Sequence, residues 1–237
     1  MKKYFNTTSG LCGVFLSVAL LSATADSSYA ADGSTIFSDN CASCHDVVGP
    51  GSSTLEALKA KKAPDLFYAG SKFKPDWLVE WIQNTTQIRP SGMMFLNNIE
   101  IEDGKDKIES EEVESCPSRL DGDQAADVAA YLMALTDPTM KLGVVNPDDK
   151  FRKGKAETLI SKQTDCVGCH TVNVKNRDIG GVSGPDLREA GKRLNIDWIY
   201  ALIEDPKRWT PKTWMPHDSL SEEKRILLTA YIASMGK

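Results

Sequence analysis

Two five-residue segments constrain this chain more than anything else in it. Cys41-Ala42-Ser43-Cys44-His45 and Cys166-Val167-Gly168-Cys169-His170 share one pattern, C-x-x-C-H. Two thiols three positions apart lie on one turn of helix, and each can add across a vinyl group at one edge of a porphyrin. The histidine that follows then projects under the ring and offers a nitrogen to the iron. This is the pattern of covalent c-type haem attachment. Structural zinc fits less well, because zinc-ribbon pairs stand about 15–20 residues apart and these are separated by most of a domain. A thioredoxin-like redox pair calls for a βαβ context, which the sequence lacks, and has no use for a histidine after each pair. Two haem c groups, held through Cys41, Cys44, Cys166 and Cys169, are therefore the expected cofactors.

The first thirty residues read as an address. Lys2 and Lys3 precede an apolar run from about Leu11 to Ala25, and Ser28-Tyr29-Ala30 puts small residues at both cleavage-defining positions. The run is shorter than the ~20 residues of a membrane-spanning helix. A signal peptide over 1–30 is expected, removed in preference to being kept as an anchor, with a periplasmic mature chain starting near Ala31. Cys12 lies at the start of the apolar run instead of behind it, which argues against lipoprotein processing. Four of the remaining cysteines sit in the two motifs. Cys116 then has no intrachain partner, and the sequence leaves it open as free, buried or bonded between chains.

The chain also repeats itself. Pro64-Asp65-Leu66 recurs as Pro185-Asp186-Leu187, Asp76-Trp77 as Asp197-Trp198, Pro90 as Pro211 and Met94 as Met215, all at an offset of 121. Beyond the methionines the offset falls to 100, pairing Leu120 with Leu220 and Ala130-Tyr131 with Ala230-Tyr231. The first half thus carries 21 extra residues, an acidic insertion at about 97–119. The expected domains are 31–137 and 150–237, joined by a Pro- and Gly-containing linker over 138–149.

Each half reads as helical. Asp76 to Ile82 and Asp197 to Ile203 suit short buried helices, with the aspartates placed to cap or acidify their starts. Amphipathic helices are expected from Asp123 to Leu135 and from Ser221 to Met235. No strand pattern stands out. The fold class expected is all-α, in two similar halves.

The order of C-x-x-C-H, Pro-Asp-Leu, a Trp-bearing helix, Pro-x-x-x-Met and a final Tyr-bearing helix resembles class I c-type cytochromes. Two tandem copies in one exported chain resemble the dihaem cytochromes of the cytochrome c4 type. The resemblance covers nearly all of the mature chain. It implies His45 and His170 as proximal iron ligands and Met94 and Met215 as distal ones. It also implies that the carbonyls of Pro64 and Pro185 accept the other imidazole N–H and so fix each ring. The insertion departs from the simple pattern and implies a different cover for the first haem.

Alternatives exist at each distal position. Two bis-histidine haems need four histidines, and the chain has three. Met93 competes with Met94, and the ungapped offset favours Met94. His217 competes with Met215 two residues away, and Pro216 between them turns the side chains apart, favouring Met215. Methionine opposite histidine closes both axial positions and raises the reduction potential. An electron carrier is the expected function, not an enzyme. The weaker readings are a dihaem peroxidase-like enzyme, a gas or redox sensor, and a haem subunit of a periplasmic dehydrogenase or respiratory complex, the last allowing association with a membrane complex.

Charge bears on partners. At 237 residues and net −5, the chain lacks the basic face that a general nucleic-acid binder needs. Residues 31–137 hold 9 basic and 19 acidic residues, whereas the remainder holds 17 and 13. Glu100, Glu102, Asp103, Asp106, Glu109, Glu111, Glu112 and Glu114 concentrate the acidity in the insertion. A solvated loop is the stronger reading of this stretch. A docking surface for a basic redox partner comes second, and calcium last, since the spacing does not match an EF-hand loop.

Overall fold

A computed structural model describes residues 1, 26–108, 113, 115–217 and 219–236. The apolar part of the expected export signal lies outside these residues, as do Glu109, Glu111, Glu112 and Glu114 of the insertion. No helix among the described residues is long and apolar enough to cross a membrane.

In the first half, α1 (Asp26–Asn40) runs directly into the first C-x-x-C-H turn. Then come α2 (Leu55–Lys59), whose first turn is capped by the Thr54 hydroxyl, and α3 (Ala69–Lys72). Next is α4 (Pro75–Gln83), opened by a proline whose missing N–H has no partner to lose there. A 3-10 turn at Phe95–Asn97 leads to the strands β1 (Ile99–Glu102) and β2 (Lys105–Ile108). The half closes with α5 (Gly122–Met133), started by a capping box in which Asp121 and Gln124 satisfy each other's backbone N–H.

The second half begins with α6 (Lys153–Thr158), which passes through a π-helical turn at Leu159–Gln163 into α7 (Cys166–Cys169). The strands β3 (Val172–Val174) and β4 (Arg177–Ile179) follow, then α8 (Ala190–Arg193), α9 (Ile196–Glu204) and α10 (Glu222–Ser234). Helices α3 and α8 have the same bounds at an offset of 121, and so do α4 and α9. The aspartates at the starts of α4 and α9 sit in the first turn and do not cap. Asn195 takes that role for α9, accepting from the Asp197 N–H. Residues 134–152, between the last helix of one half and the first of the next, form neither helix nor strand.

The all-α class stands, with one correction. Two short antiparallel hairpins, β1–β2 and β3–β4, were not expected from the sequence. Each is closed by two residues at positive φ, Asp103 and Gly104 at 51° and 73°, Lys175 and Asn176 at 50° and 59°. Left-handed backbone at both central positions matches the twist of paired strands. The first hairpin lies within the acidic insertion, with Ile99 paired to Ile108 and Glu102 to Lys105.

Close approach of backbones sets the position of α3 and α8 against the C-terminal helices. The Gly70 N–H donates to the Leu135 carbonyl at 2.9 Å, and the Gly191 N–H to that of Met235 at 3.0 Å. A Cβ at Gly70 would lie 2.1 Å from the Met133 carbonyl oxygen, and one at Gly191 2.3 Å from that of Ala233. Only glycine allows this approach.

The halves meet through equivalent residues. Phe73 and Leu194, counterparts in the repeat, form an antiparallel bridge. On either side the Lys74 N–H donates to the Arg193 carbonyl at 3.0 Å and the Asn195 N–H to that of Lys72 at 2.8 Å. A residue that pairs with its own counterpart marks a local two-fold relation, as in an isologous dimer contact. Tyr68 stacks on Trp209 and Trp209 on Trp198, at centroid distances of 5.3 and 5.6 Å. Buried apolar residues of both halves, from Phe37 to Met235, form one contiguous cluster.

Candidate functional site

Both C-x-x-C-H segments close a single turn before the histidine leaves it. The His45 N–H donates to the Cys41 carbonyl at 3.0 Å and the His170 N–H to that of Cys166 at 2.9 Å. His170 is then extended, at φ −113° and ψ 131°, which ends the turn. Cys44 is exposed, while Cys41, Cys166 and Cys169 are half-buried. Burial, followed by the neighbouring Cys116 and Cys44 thiols, pushes the Cys41 thiol up to about 11. Cys116, whose place the sequence leaves open, is thus half-buried close to the first motif. Its carbonyl accepts the Thr85 hydroxyl at 2.8 Å.

The two imidazoles are held alike. His45 Nδ1 lies 2.8 Å from the Pro64 carbonyl oxygen and His170 Nδ1 lies 2.7 Å from that of Pro185. A carbonyl only accepts, so Nδ1 carries the hydrogen and Nε2 of the neutral ring keeps its lone pair. Burial pushes both rings below the usual histidine range, although the bonds to the proline carbonyls oppose it. Each ring is therefore neutral, fixed in orientation and ready to ligate through Nε2. The loops that deliver the prolines differ. One spans 19 residues and contains α2, while the other spans 15 and contains the β3–β4 hairpin.

These residues fit a covalently held iron porphyrin. Each half has its thiol pair and one neutral imidazole with a free lone pair. The Trp198 indole nitrogen is a buried donor with no partner among the described residues, as expected beside a group bearing acceptor oxygens. A Cβ at Gly184 would lie 2.7 Å from Nδ1 of His170, so the backbone before Pro185 packs closely against that ring. Zinc has no comparable arrangement: no group of three or more His, Cys, Asp or Glu among the described residues could hold a metal ion.

The family model for cytochrome c matches residues 30–136 and 155–236. The chain belongs to the cytochrome c family. Nothing among curated proteins or solved structures matches it. Cytochrome c domains bind haem c and carry electrons, and each matched stretch holds one C-x-x-C-H segment with its proline-anchored histidine.

The four side chains named for the distal positions of these cytochrome c domains sit in different surroundings. Met94 is 5% exposed, whereas Met93 is half-buried and gives its carbonyl to the Arg89 guanidinium at 2.8 Å. Met215 is half-buried and His217 is exposed. The Phe95 and Trp214 rings meet edge to face at 5.9 Å, so the segments after Met94 and before Met215 touch across the halves. Sequence reading missed Lys72, Arg89 and Arg193, whose charges act on the two histidines. One signal was available, because Lys72 and Arg193 are basic residues at equivalent places in the repeat.

Proposed function

We propose that this cytochrome c is an exported dihaem electron carrier, with one haem c on each half and no substrate bound at iron. The observation that supports it most is the pair of proline-anchored histidines, each with Nε2 left free behind its own thiol pair. Bound haem supplies an iron that alternates between the ferric and ferrous states. The chain's part is to hold that iron still. Cys41, Cys44, Cys166 and Cys169 would anchor the rings, and His45 and His170 would offer Nε2 to the iron. Met94 and Met215 would supply the second protein ligand to each iron. Protein ligands that stay the same in both redox states would keep reorganisation small, which suits rapid electron transfer. Duplication puts two such centres in one polypeptide, letting one half accept and the other donate. The apolar leader points to the periplasm as the working compartment, and the acidic first half suits a basic redox partner.

The test is a haem-attached preparation of the full chain. Pyridine haemochrome analysis should count two haems, and visible and near-infrared spectra should report methionine opposite histidine at both. After anaerobic reduction, carbon monoxide should not bind rapidly. Colourless protein, a single haem, or rapid binding at either iron would overturn the reading.

A further inference from the structure

The loop that carries Pro64 back to His45 is tied at both of its ends by one ammonium. Lys61 stands just past the end of α2 and donates to two carboxylates, that of Asp46 at 2.6 Å and that of Asp65. Asp46 follows His45 in the chain, and Asp65 follows Pro64. The cation therefore bridges the residues next to the donor and the acceptor of the His45–Pro64 hydrogen bond. The Lys61 and Asp65 side chains are 13% and 4% exposed, so this half of the tie is withdrawn from water, while Asp46 lies at the surface.

The second half closes its loop by other means. Both halves share one backbone bond, from the Leu66 N–H to the Asp46 carbonyl at 2.7 Å and from the Leu187 N–H to the Thr171 carbonyl at 3.0 Å. The side-chain tie differs. Thr171, which follows His170, carries no charge, and its hydroxyl donates to the Gly181 carbonyl at 3.0 Å within the loop. Asp186, the counterpart of Asp65, pairs with Arg188, which reaches out to Asp178 on β4 at 2.6 Å. Arg188 and Asp178 are each 46% exposed, and an ion pair so open to water contributes little. Here the β3–β4 hairpin shapes the loop.

Parting a buried ion pair strands a charge away from water, so Lys61 and Asp65 resist separation and Pro64 is held with them. A hydrogen bond from the imidazole Nδ1–H to a fixed acceptor makes Nε2 more basic. A more basic ligand favours the more positive, ferric iron. We propose that Lys61 is a positioning residue, which keeps the Pro64 carbonyl on the His45 Nδ1–H and thereby lowers the reduction potential of the first haem alone. This rests on the dihaem reading above. The Pro185 bond to His170 is held without a buried cation, so the second haem does not depend on one. Two centres built on one repeat are in this way given separately set potentials.

The experiment is a redox titration of the haem-attached full chain carrying Lys61→Met together with Asp65→Asn. This pair of changes removes one charge of each sign, so the tie is cut while the net charge stays the same. One midpoint potential should rise and the other should hold. Lys61→Arg keeps the charge and the donors, and should leave both at the wild-type values. Arg188→Met with Asp186→Asn, the matching change in the second half, should move neither. The proton on His45 Nδ1, followed by NMR in the ferrous protein, should exchange with solvent faster in the Lys61 and Asp65 double variant, while that on His170 keeps its rate. General loosening of the fold would speed both. Potentials that stay in place, fall, or shift together in that double variant would overturn the role of Lys61. Should it fail to fold, Asp46→Ala unties the histidine side and leaves the buried pair intact, and an unchanged exchange rate at His45 there would overturn the role equally. Haem counting on the wild type separates the two proposals. Fewer than two haems sinks the dihaem reading, whereas two haems with unmoved potentials sinks only this role.

Discussion

The Trp209 indole N–H donates to the Asp137 carboxylate at 3.0 Å, reaching it from the other half of the chain. The same oxygen takes the Arg208 guanidinium at 2.8 Å. The second oxygen accepts the Thr139 N–H and hydroxyl at 2.9 and 2.7 Å. Asp137 therefore orients the ring that stacks on both Tyr68 and Trp198. One carboxylate thus ties the end of the first half to the aromatic contact between the two.

Loss of that carboxylate should loosen the whole molecule. Burial alone would raise Asp137, but hydrogen bonds from Arg208 and Thr139 outweigh it and bring it from 3.8 to about 2. The folded value lies below the unfolded one, so the stabilisation is complete above about pH 4 and lost as pH falls toward 2. A shift of this size corresponds to about 2 kcal/mol. Asp137→Asn should lower the urea-unfolding free energy by that order at pH 7. The gap to wild type should close near pH 2, and a gap that stayed constant over this range would refute the linkage.

Gly70 tests the packing of α3 against α5. An added methyl would meet the Met133 carbonyl oxygen at 2.1 Å, and a backbone atom at the end of α5 cannot swing away as a side chain can. Gly70→Ala should therefore destabilise by about 1–3 kcal/mol, the usual range for overpacking. Gly104→Ala, with open space around its Cβ, meets no such obstacle and suffers only from its φ of 73°. Thermal unfolding of the two variants side by side should show the larger loss at Gly70.

What was legible in the sequence was local and repeated. The cores of α4 and α9 follow from their apolar spacing, and each helix extends one residue past the expected span at both ends. The start of α10 follows from Ser221, whose hydroxyl accepts the Lys224 N–H without the return bond of a capping box. The β1–β2 hairpin was readable from Asp103-Gly104 between alternating isoleucines, but a stretch this acidic also fits a solvated loop. Lys175-Asn176 contains no glycine, so its turn left a fainter trace. The contact between the halves was harder to see, because local pattern does not announce that Phe73 pairs with Leu194. Nor does it show that Lys72, Arg89 and Arg193 converge from separate segments. Offsets in a repeat identify counterparts. They do not say which counterparts touch.

Charge asymmetry between the halves makes a kinetic prediction. The first half has 9 basic and 19 acidic residues over 31–137. Attraction between exposed charges is screened over about 10 Å at 0.1 M salt. Electron exchange with a small basic redox protein should therefore slow as salt rises from about 0.01 to 0.3 M, through the association rate. Replacing Glu100 and Glu102 with glutamine should flatten that dependence in stopped-flow measurements. Equal salt slopes for the variant and the wild type would show that the insertion does not steer.

The distal positions separate by single substitutions. Met94 is 5% exposed, and Met215 is half-buried two residues before an exposed His217. If Met94 and Met215 close the irons, Met94→Ala should open one haem of the reduced protein to carbon monoxide, and Met215→Ala should open the other. Neither change touches the proline-anchored histidines, so both variants should retain two covalent haems. Met93→Ala and His217→Ala should leave both irons closed, because neither side chain would be a ligand. The measurement is the visible spectrum before and after gas exposure, scored as none, one or two reactive haems. Reactivity appearing in Met93→Ala but not Met94→Ala would move the first distal ligand by one residue. Reactivity in His217→Ala but not Met215→Ala would make the second centre bis-histidine, with a lower potential than its partner.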